Sequence, residues 1–236
     1  DQRVIIVGGG LAGLSLARQL LRTTDKKILL LEKREAIPSD RQKVGESLVQ
    51  VGGFYFGKVL DLEEYLFREH YMKYNLRFYW KTAGRRNSSF EDYSQAYIRA
   101  FSNIPCYQLD RNKLEEHLCR LNCKEPNFTL CAKVTDLEVE LADTGLHTLR
   151  FASPEGPRQV RAEWVVDTTG RRKLLARQLE LAGPNTIRHG SSFLWVDGLV
   201  DIDQLTELSP RDLRLKKARR ATGHLPTWLA TNHFMG

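Results

Sequence analysis

The stretch Val4-Ile5-Ile6-Val7, followed at once by Gly8-Gly9-Gly10-Leu11-Ala12-Gly13, constrains the fold more than any other part of the chain. An unbroken apolar run of this length predicts a strand buried on both faces. Beyond the glycines, LSLARQLL sets Leu14, Leu16, Ala17, Leu20 and Leu21 at helical intervals, and a second apolar run, Ile28-Leu29-Leu30-Leu31, ends in Glu32. Strand, GxGxxG turn, helix, strand and acidic residue together predict a dinucleotide-binding βαβ unit. Each residue type has its reason. Gly8 permits the tight turn, Gly10 lets the backbone approach a pyrophosphate with no Cβ in the way, and Gly13 lets the helix pack close to the strand. The first N–H groups of the helix offer donors and a positive dipole end to phosphate. Glu32 suits the hydroxyls of an adenosine ribose and would repel a ribose carrying a 2′-phosphate. The turn leaves open whether the nucleotide is NAD or FAD.

Further along, CYQLDRNKLEEHLCRL spaces Arg111, Leu114, Leu118 and Leu121 for a helix that Asp110 caps, with Glu115 and Glu116 favouring its first turn. TLCAKVTDLEVELADTG, LHTLRFASPEG and PRQVRAEWVVDTTG then alternate apolar and polar residues, breaking at Asp143-Thr144-Gly145 and Pro154-Glu155-Gly156-Pro157. This predicts an antiparallel meander joined by tight turns. Its last strand turns fully apolar and ends in Asp167-Thr168-Thr169-Gly170, so it is expected to rejoin the central parallel sheet. Residues Ser191 to Val196 read as a strand, Gly84 to Ser89 as a mobile loop, and WLATNHFMG as a further strand.

Charge narrows the function classes. Lys and Arg number 36 against 29 Asp and Glu, a net +7. Much of the excess sits in RDLRLKKARR, where Arg211, Arg214, Lys216, Lys217, Arg219 and Arg220 cover most of a helix circumference without interleaved aromatics. That predicts a solvated segment and not a nucleic-acid surface. No apolar run approaches the about 18 residues of a membrane span, and the early strand predicts no signal peptide. Cys106, Cys119, Cys123 and Cys131 form no CxxC pair and have no histidine partner at zinc spacing. Reduced thiols in a cytoplasmic protein are expected.

Two stretches carry chemistry less plainly. In RQKVGESLVQ, residues 41–50, Gly45-Glu46-Ser47 fits the start of a helix, and equally a loop held against something that needs polar backbone contacts. In HYMKYNLRFYW, Tyr71, Lys73, Asn75 and Arg77 alternate with Met72, Tyr74, Leu76 and Phe78, which predicts a strand with Lys73 on its polar face. An edge-strand lysine facing water fits the same pattern.

Taken in order, GGGLAGLSLA, Glu32, RQKVGESL, YQLDRNKLEEHL, the meander and VVDTTGRR resemble the FAD-dependent oxidoreductases of the p-hydroxybenzoate hydroxylase class. VGESL, HYMKYNLRFYW and TNHFMG are most similar to its flavin-dependent halogenase-like branch. The resemblance implies an α/β fold: a Rossmann-like FAD-binding domain, a parallel sheet with an antiparallel three-stranded crossover, over residues 1–72 and 104–184. Residues 73–103 and 185–236 would form part of a second, β-rich substrate-side domain. The cofactor would be FAD, with Gly8, Gly10, Leu11, Ala12, Gly13, Glu32 and Lys33 around its ADP half and the backbone of Val134 at the adenine. Arg41, Gly45, Glu46 and Ser47 would lie in a strap beside the flavin, and Gln108 and Arg111 at its ribityl and phosphate region. Asp167 and Gly170 match a motif that shapes the nucleotide and flavin environment. Lys73 falls where those halogenases keep a lysine between flavin and substrate, to handle the hypohalous acid formed from halide. An ammonium donates hydrogen bonds, and desolvation lowers its pKa toward nucleophilicity.

The resemblance further implies that reduced flavin reacts with O2 and that the protein directs an oxygen to halide or substrate. A flavin reductase would supply the reduced cofactor, and the substrate would be a small-molecule or carrier-bound aromatic. The alternatives are a flavin hydroxylase or reductase without halide chemistry, and a non-catalytic flavin-binding partner or maturation protein. The family's tryptophan halogenases carry GEA in place of Gly45-Glu46-Ser47, so free tryptophan is not the expected substrate. The family continues beyond the residue matching Gly236 into a tryptophan-rich segment, a Gly-Asp flavin motif and the halide site. The chain is therefore expected to be part of a protein about twice as long, to hold FAD weakly or not at all by itself, and to self-associate through an apolar patch.

Overall fold

Val4 to Val7 lie at the buried middle of the largest sheet. The computed structural model describes residues 2–38, 41, 43–73, 75–88, 92–97, 106–187, 190, 192–194, 196–198, 200, 209, 211 and 230–235. Packing divides the chain into two units, Asp1–Lys43 with Asp110–Ser191, and Val44–Leu109 with Ser192–Gly236.

In the first unit, β1 (Gln2–Val7) pairs in parallel with β2 (Ile28–Leu31) on one side and with β10 (Gly156–Asp167) on the other. β2 pairs in parallel with β7 (Phe128–Cys131), giving the parallel run β7-β2-β1-β10. Every residue of β2 is buried, as a sheet covered on both faces demands. On one face α1 (Leu11–Thr23) buries Leu14 and Ala17 and packs on α4 (Arg111–Asn122), which buries Leu114 and Leu118. The Asn122 amide donates to the Leu14 carbonyl at 3.0 Å across that helix pair. Ile5, Val7, Leu29 and Leu31 join a second cluster, with Val139 of β8 (Thr135–Glu140) and Leu149 and Phe151 of β9 (His147–Ser153). Each fully buried aliphatic contributes about 2 kcal/mol.

One strand joins the parallel and antiparallel parts. Gly156 to Ala162 pair antiparallel with β9, which pairs antiparallel with β8, while Ala162 to Asp167 pair in parallel with β1. The expected meander and its return to the parallel sheet are both present. The fold is Rossmann-like α/β with an antiparallel three-stranded crossover. At the start of α4, Asp110 accepts from the N–H groups of Asn112 and Lys113 at 2.9 and 3.1 Å, as its capping position predicts. Asp110→Ala is expected to cost about 1 kcal/mol, read as a lower urea midpoint at unchanged slope.

In the second unit, α2 (Gln50–Phe54) runs into a wider π-type turn, Tyr55–Val59, and α3 (Glu63–Glu69) follows. β3 (Tyr71–Lys73) pairs antiparallel with β6 (Cys106–Gln108). β4 (Asn75–Trp80) lies between β5 (Ser94–Tyr97) and β11 (Ala230–Met235). The alternating stretch read as one strand is thus two strands with different ladder partners; Tyr74 between them lies outside the described residues. Residues 44–72 pack within this unit, because the Leu48 N–H donates to the Tyr107 carbonyl at 2.9 Å and the Leu109 N–H to the Glu46 carbonyl at 2.7 Å.

The strand expected over 191–196 is not formed by the described residues of that stretch: Ser192, Phe193, Leu194 and Val196 make no ladder. Their apolar run has no neighbouring strand to pair with among the described residues, and Leu194 is 75% exposed. Ser191 and Trp195 lie outside the described residues, as do Ser89, Trp228, Leu229 and all of the basic run except Arg211. The loop before Ser89 is held by Asn87, which bonds the backbone of Thr82 in both directions, at 2.8 and 3.1 Å. Among the described residues no helix is long and apolar enough to cross a membrane.

Candidate functional site

The glycines of the first unit divide by what surrounds them. Gly8 has φ +112°, and a Cβ on it would lie 2.5 Å from the Thr168 carbonyl oxygen. A Cβ on Gly13 would lie 2.1 Å from the Gly8 carbonyl oxygen and 3.2 Å from Ile6. Both are required by the protein's own packing. A Cβ on Gly10 would meet nothing within 4 Å. Gly10 also caps α1, which has no side-chain cap and no acidic residue in its first turn. A 13-residue helix therefore presents its first N–H groups beside a space the protein does not fill. That cradle fits the diphosphate of a dinucleotide. Leu11 is half-buried and Ala12 exposed on the same turn.

Glu32, 4% exposed, closes β2. Its Oε2 accepts from the Gly9 N–H at 2.7 Å and from Arg34 Nη2 at 3.2 Å; its Oε1 accepts from the Arg34 N–H at 2.9 Å and Nε at 3.0 Å. Burial pushes the carboxyl up, but the Arg34 side chain and the two backbone donors outweigh it and hold it below the usual glutamate value. A ribose arriving here meets a carboxylate already paired with a guanidinium. Lys33 is exposed, and the Val134 N–H donates to the Glu32 carbonyl at 3.0 Å.

A second buried carboxylate, Glu115, 1% exposed, accepts from Arg111 Nη2 at 2.7 Å and from the Lys43 ammonium. Its charge also acts on Arg34. The cations Arg34, Lys43 and Arg111 thus outnumber the carboxylates that orient them, which suits an anionic ligand. The Arg41 side chain is exposed, and its carbonyl accepts from Asn112 Nδ2 at 3.3 Å.

Asp167 does structural work at the exit of β10. Its carboxylate accepts from the Thr169 N–H and hydroxyl at 2.9 and 2.6 Å and from the Leu175 N–H at 2.8 Å. Burial raises its pKa, and these donors more than reverse that, leaving it lowered. Thr168 Oγ1 donates to the carbonyls of Val7 and Gly8 at 2.9 and 2.8 Å, holding the glycine turn from beneath. Gly170, exposed, has φ +62°.

In the second unit, Gly45-Glu46-Ser47 is not the start of a helix: Gly45 has φ +85°, Ser47 bridges to Gln108 of β6, and α2 begins only at Gln50. The loop alternative holds. Lys73 does not face water; it is 5% exposed and donates to Ser47 Oγ at 2.6 Å and to the Leu48 carbonyl. Burial pushes its ammonium below the usual lysine value, with the Cys106 thiol acting the other way. Ser47 Oγ lies 3.0 Å from Thr231 Oγ1, which donates to Gln108 Oε1 at 3.3 Å.

Arg34, Lys43, Thr168 and Thr231 were not singled out from the sequence, and Glu115, expected with Glu116 in the first turn of α4, lies beyond it, because the helix starts at Arg111 and its first turn holds no acidic residue. Glu115 stood four residues after Arg111, the spacing of a helical ion pair. Thr168 lay inside the DTTG motif. Thr231 is 184 residues from Ser47 and carries no sequence signal. Among the described residues no cluster of three metal-ligating side chains exists, and the four cysteines are free.

Residues 6–63 match the NAD(P)-binding Rossmann-like domain family. The chain is 35% identical over 125 residues, 50% of its length, to a flavin-dependent halogenase of Dictyostelium discoideum, of which this covers 21%. It is 30% identical over 177 residues, 74% of its length, to a Marinomonas mediterranea protein described as an FAD-dependent oxidoreductase, LodB, covering 44% of it. Among solved structures, p-nitrophenol 4-monooxygenase from Pseudomonas putida has the same fold, with a TM-score of 0.60 at 18% identity over 75% of this chain and 43% of that one. The chain spans less than half the length of each of these proteins.

Proposed function

We propose that this chain, a relative of the flavin-dependent halogenases and FAD-dependent oxidoreductases with a Rossmann-like nucleotide-binding fold, binds FAD as part of an enzyme that acts on an aromatic substrate with reduced flavin and O2. The observation that carries the reading is the turn at Gly10, where a helix without a side-chain cap begins beside space in which a Cβ would meet nothing within 4 Å. Gly8, Leu11, Ala12 and Gly13 shape that turn, and Glu32 with Lys33 and Arg34 receives the ribose. The Val134 backbone meets the adenine, and Arg111 and Arg41 face the phosphate and ribityl region with Gln108. Gly45, Glu46 and Ser47 run beside the ring, and Asp167 and Gly170 hold the turn that shapes its surroundings. On this reading residues 1–72 and 104–184 serve the cofactor, and 73–103 and 185–236 serve the substrate.

Bound flavin supplies the redox chemistry, including activation of O2. The protein's part is binding, orientation and proton control. Lys73, with its lowered proton affinity, holds or releases a proton at Nζ toward the reacting oxygen or halogen. A flavin reductase, a small or carrier-bound aromatic and a cytoplasmic setting complete the proposal. The monooxygenase of the same fold supports a second reading, oxygenation without halide. Turnover of the natural protein with reduced flavin, with and without chloride or bromide, separates them: a halide-dependent product supports halogenation, and an oxygenated one without halide supports the second. No product in either case leaves a flavin-binding protein without turnover.

Glu32→Ala is expected to weaken FAD by about 1–3 kcal/mol, because the ribose and the Gly9 N–H both lose their acceptor. Fluorescence titration checks it. Parent-like affinity in the variant would move the ribose elsewhere.

A further inference from the structure

Four side chains of the second unit form one hydrogen-bonded line. Lys73 Nζ donates to Ser47 Oγ at 2.6 Å, Ser47 Oγ and Thr231 Oγ1 lie 3.0 Å apart, and Thr231 Oγ1 donates to Gln108 Oε1 at 3.3 Å. The two ends determine the direction of the whole line. An ammonium only donates, an amide oxygen only accepts, and a hydroxyl has a single hydrogen. Thr231 spends its hydrogen on Gln108, so it accepts from Ser47. Ser47 already accepts from Lys73 and has its own hydrogen for Thr231. The order Lys73 to Ser47 to Thr231 to Gln108 uses each hydroxyl hydrogen once. The amide stands in that order, with Oε1 turned to Thr231 and Nε2 with its two hydrogens turned away. Among the described residues no protein group takes those hydrogens.

We infer that Thr231 is a positioning residue for Gln108: through Ser47 it carries the donor direction of the Lys73 ammonium to the amide, so that Gln108 presents N–H donors and selects an oxygen acceptor. A line of the opposite direction would turn Oε1 outward and select a hydroxyl or amine donor. Thr231 belongs to β11 and Gln108 to β6, so the line also ties strands of two different ladders through the backbone at Ser47. On the reading above, which this step rests on for the ligand's identity, the acceptor is an oxygen of the ribityl–phosphate part of FAD. The direction of the line does not depend on that.

The test uses the whole chain labelled with nitrogen-15 in glutamine side chains, the Gln108 signal being assigned by its disappearance in Gln108→Glu. The parent is expected to give a Gln108 amide signal displaced from those of exposed glutamines. Thr231→Val is expected to lose that displacement, Thr231→Ser to restore it, and Ser47→Ala to break the line from its other side with the same loss. Backbone signals of β6 are expected to stay in place, which a collapse of the strand would not allow. Addition of FAD is expected to show about fivefold weaker binding in Thr231→Val than in the parent or Thr231→Ser, the equivalent of one net hydrogen bond. A parent-like Gln108 signal in Thr231→Val or in a folded Ser47→Ala overturns the inference. A parent that binds no FAD overturns the cofactor reading alone, and the amide signal still decides the line.

Discussion

Gly10→Glu is expected to abolish FAD binding in a chain that still folds, and Gly13→Ala to destabilise the fold. The two positions are neighbours in one turn, yet their surroundings assign opposite outcomes. A Cβ on Gly10 meets nothing within 4 Å, and the residue has φ −83°, a value any L-residue adopts. A carboxylate there lies beside the helix N-terminus, where it helps α1 by about 0.5 kcal/mol and takes the place the diphosphate would occupy. Repulsion and lost space act together, so FAD affinity is expected to fall more than a hundredfold, about 3 kcal/mol. At Gly13 the added methyl group lies 2.1 Å from a backbone oxygen, the Gly8 carbonyl, and backbone cannot swing aside as a side chain end does. Helix α1 must lift from β1, away from Ile6 and from the Leu14 and Ala17 contacts, at a cost of at least about 3 kcal/mol. Circular dichroism melts and FAD fluorescence, run on both variants, read the two effects separately. FAD bound as in the parent by Gly10→Glu, or a parent-like melt of Gly13→Ala, would sink the assignment.

Much of this architecture was legible because it follows from periodicity and local chemistry. The run Val4 to Val7 reads as a doubly covered strand because no polar side chain interrupts it, and the GxGxxG turn follows because its glycines have backbone reasons. Asp110 could be read as a cap from its place before an apolar helical pattern. The apolar end of β10 foretold its return to the parallel sheet. What stayed hidden depends on contacts between distant residues. Arg34 filling both oxygens of Glu32 is a matter of side-chain reach, which the spacing of two residues permits but does not require. The split of HYMKYNLRFYW into β3 and β4 is set by partners, β6 for one and β5 with β11 for the other, and alternation is the same either way. Residues 191–196 show the converse: a short apolar run without a neighbour makes no strand among the described residues. The burial of Lys73 was equally invisible, since an exposed edge lysine gives the same pattern.

That burial makes Lys73→Met the most informative substitution in the second unit. The lysine is 5% exposed, and burial lowers its pKa from 10.5, so between its folded value and 10.5 the unfolded chain binds more protons than the folded one. Stability therefore rises with pH across that window as the native ammonium loses its charge. At neutral pH the parent carries the full cost of a desolvated ammonium, offset by the bonds to Ser47 and Leu48. Methionine fills a similar volume without the charge, at the loss of those bonds. Lys73→Met is expected to melt at or above the parent near pH 7, with the difference shrinking as the pH approaches about 10. In the active protein it is expected to weaken FAD no more than the about fivefold that follows from breaking the line to Gln108, while product formation falls at least about a hundredfold, the contribution of a positioned proton-transfer group. A residue held at a cost in stability yet needed for product is the pattern of a functional site. Melting curves from about pH 7 to 10 and product yield per reduced flavin are the measurements. Full yield from Lys73→Met would make Lys73 a structural donor to the Ser47 loop, and a stability difference that ignores pH would mean that its charge is not what burial opposes.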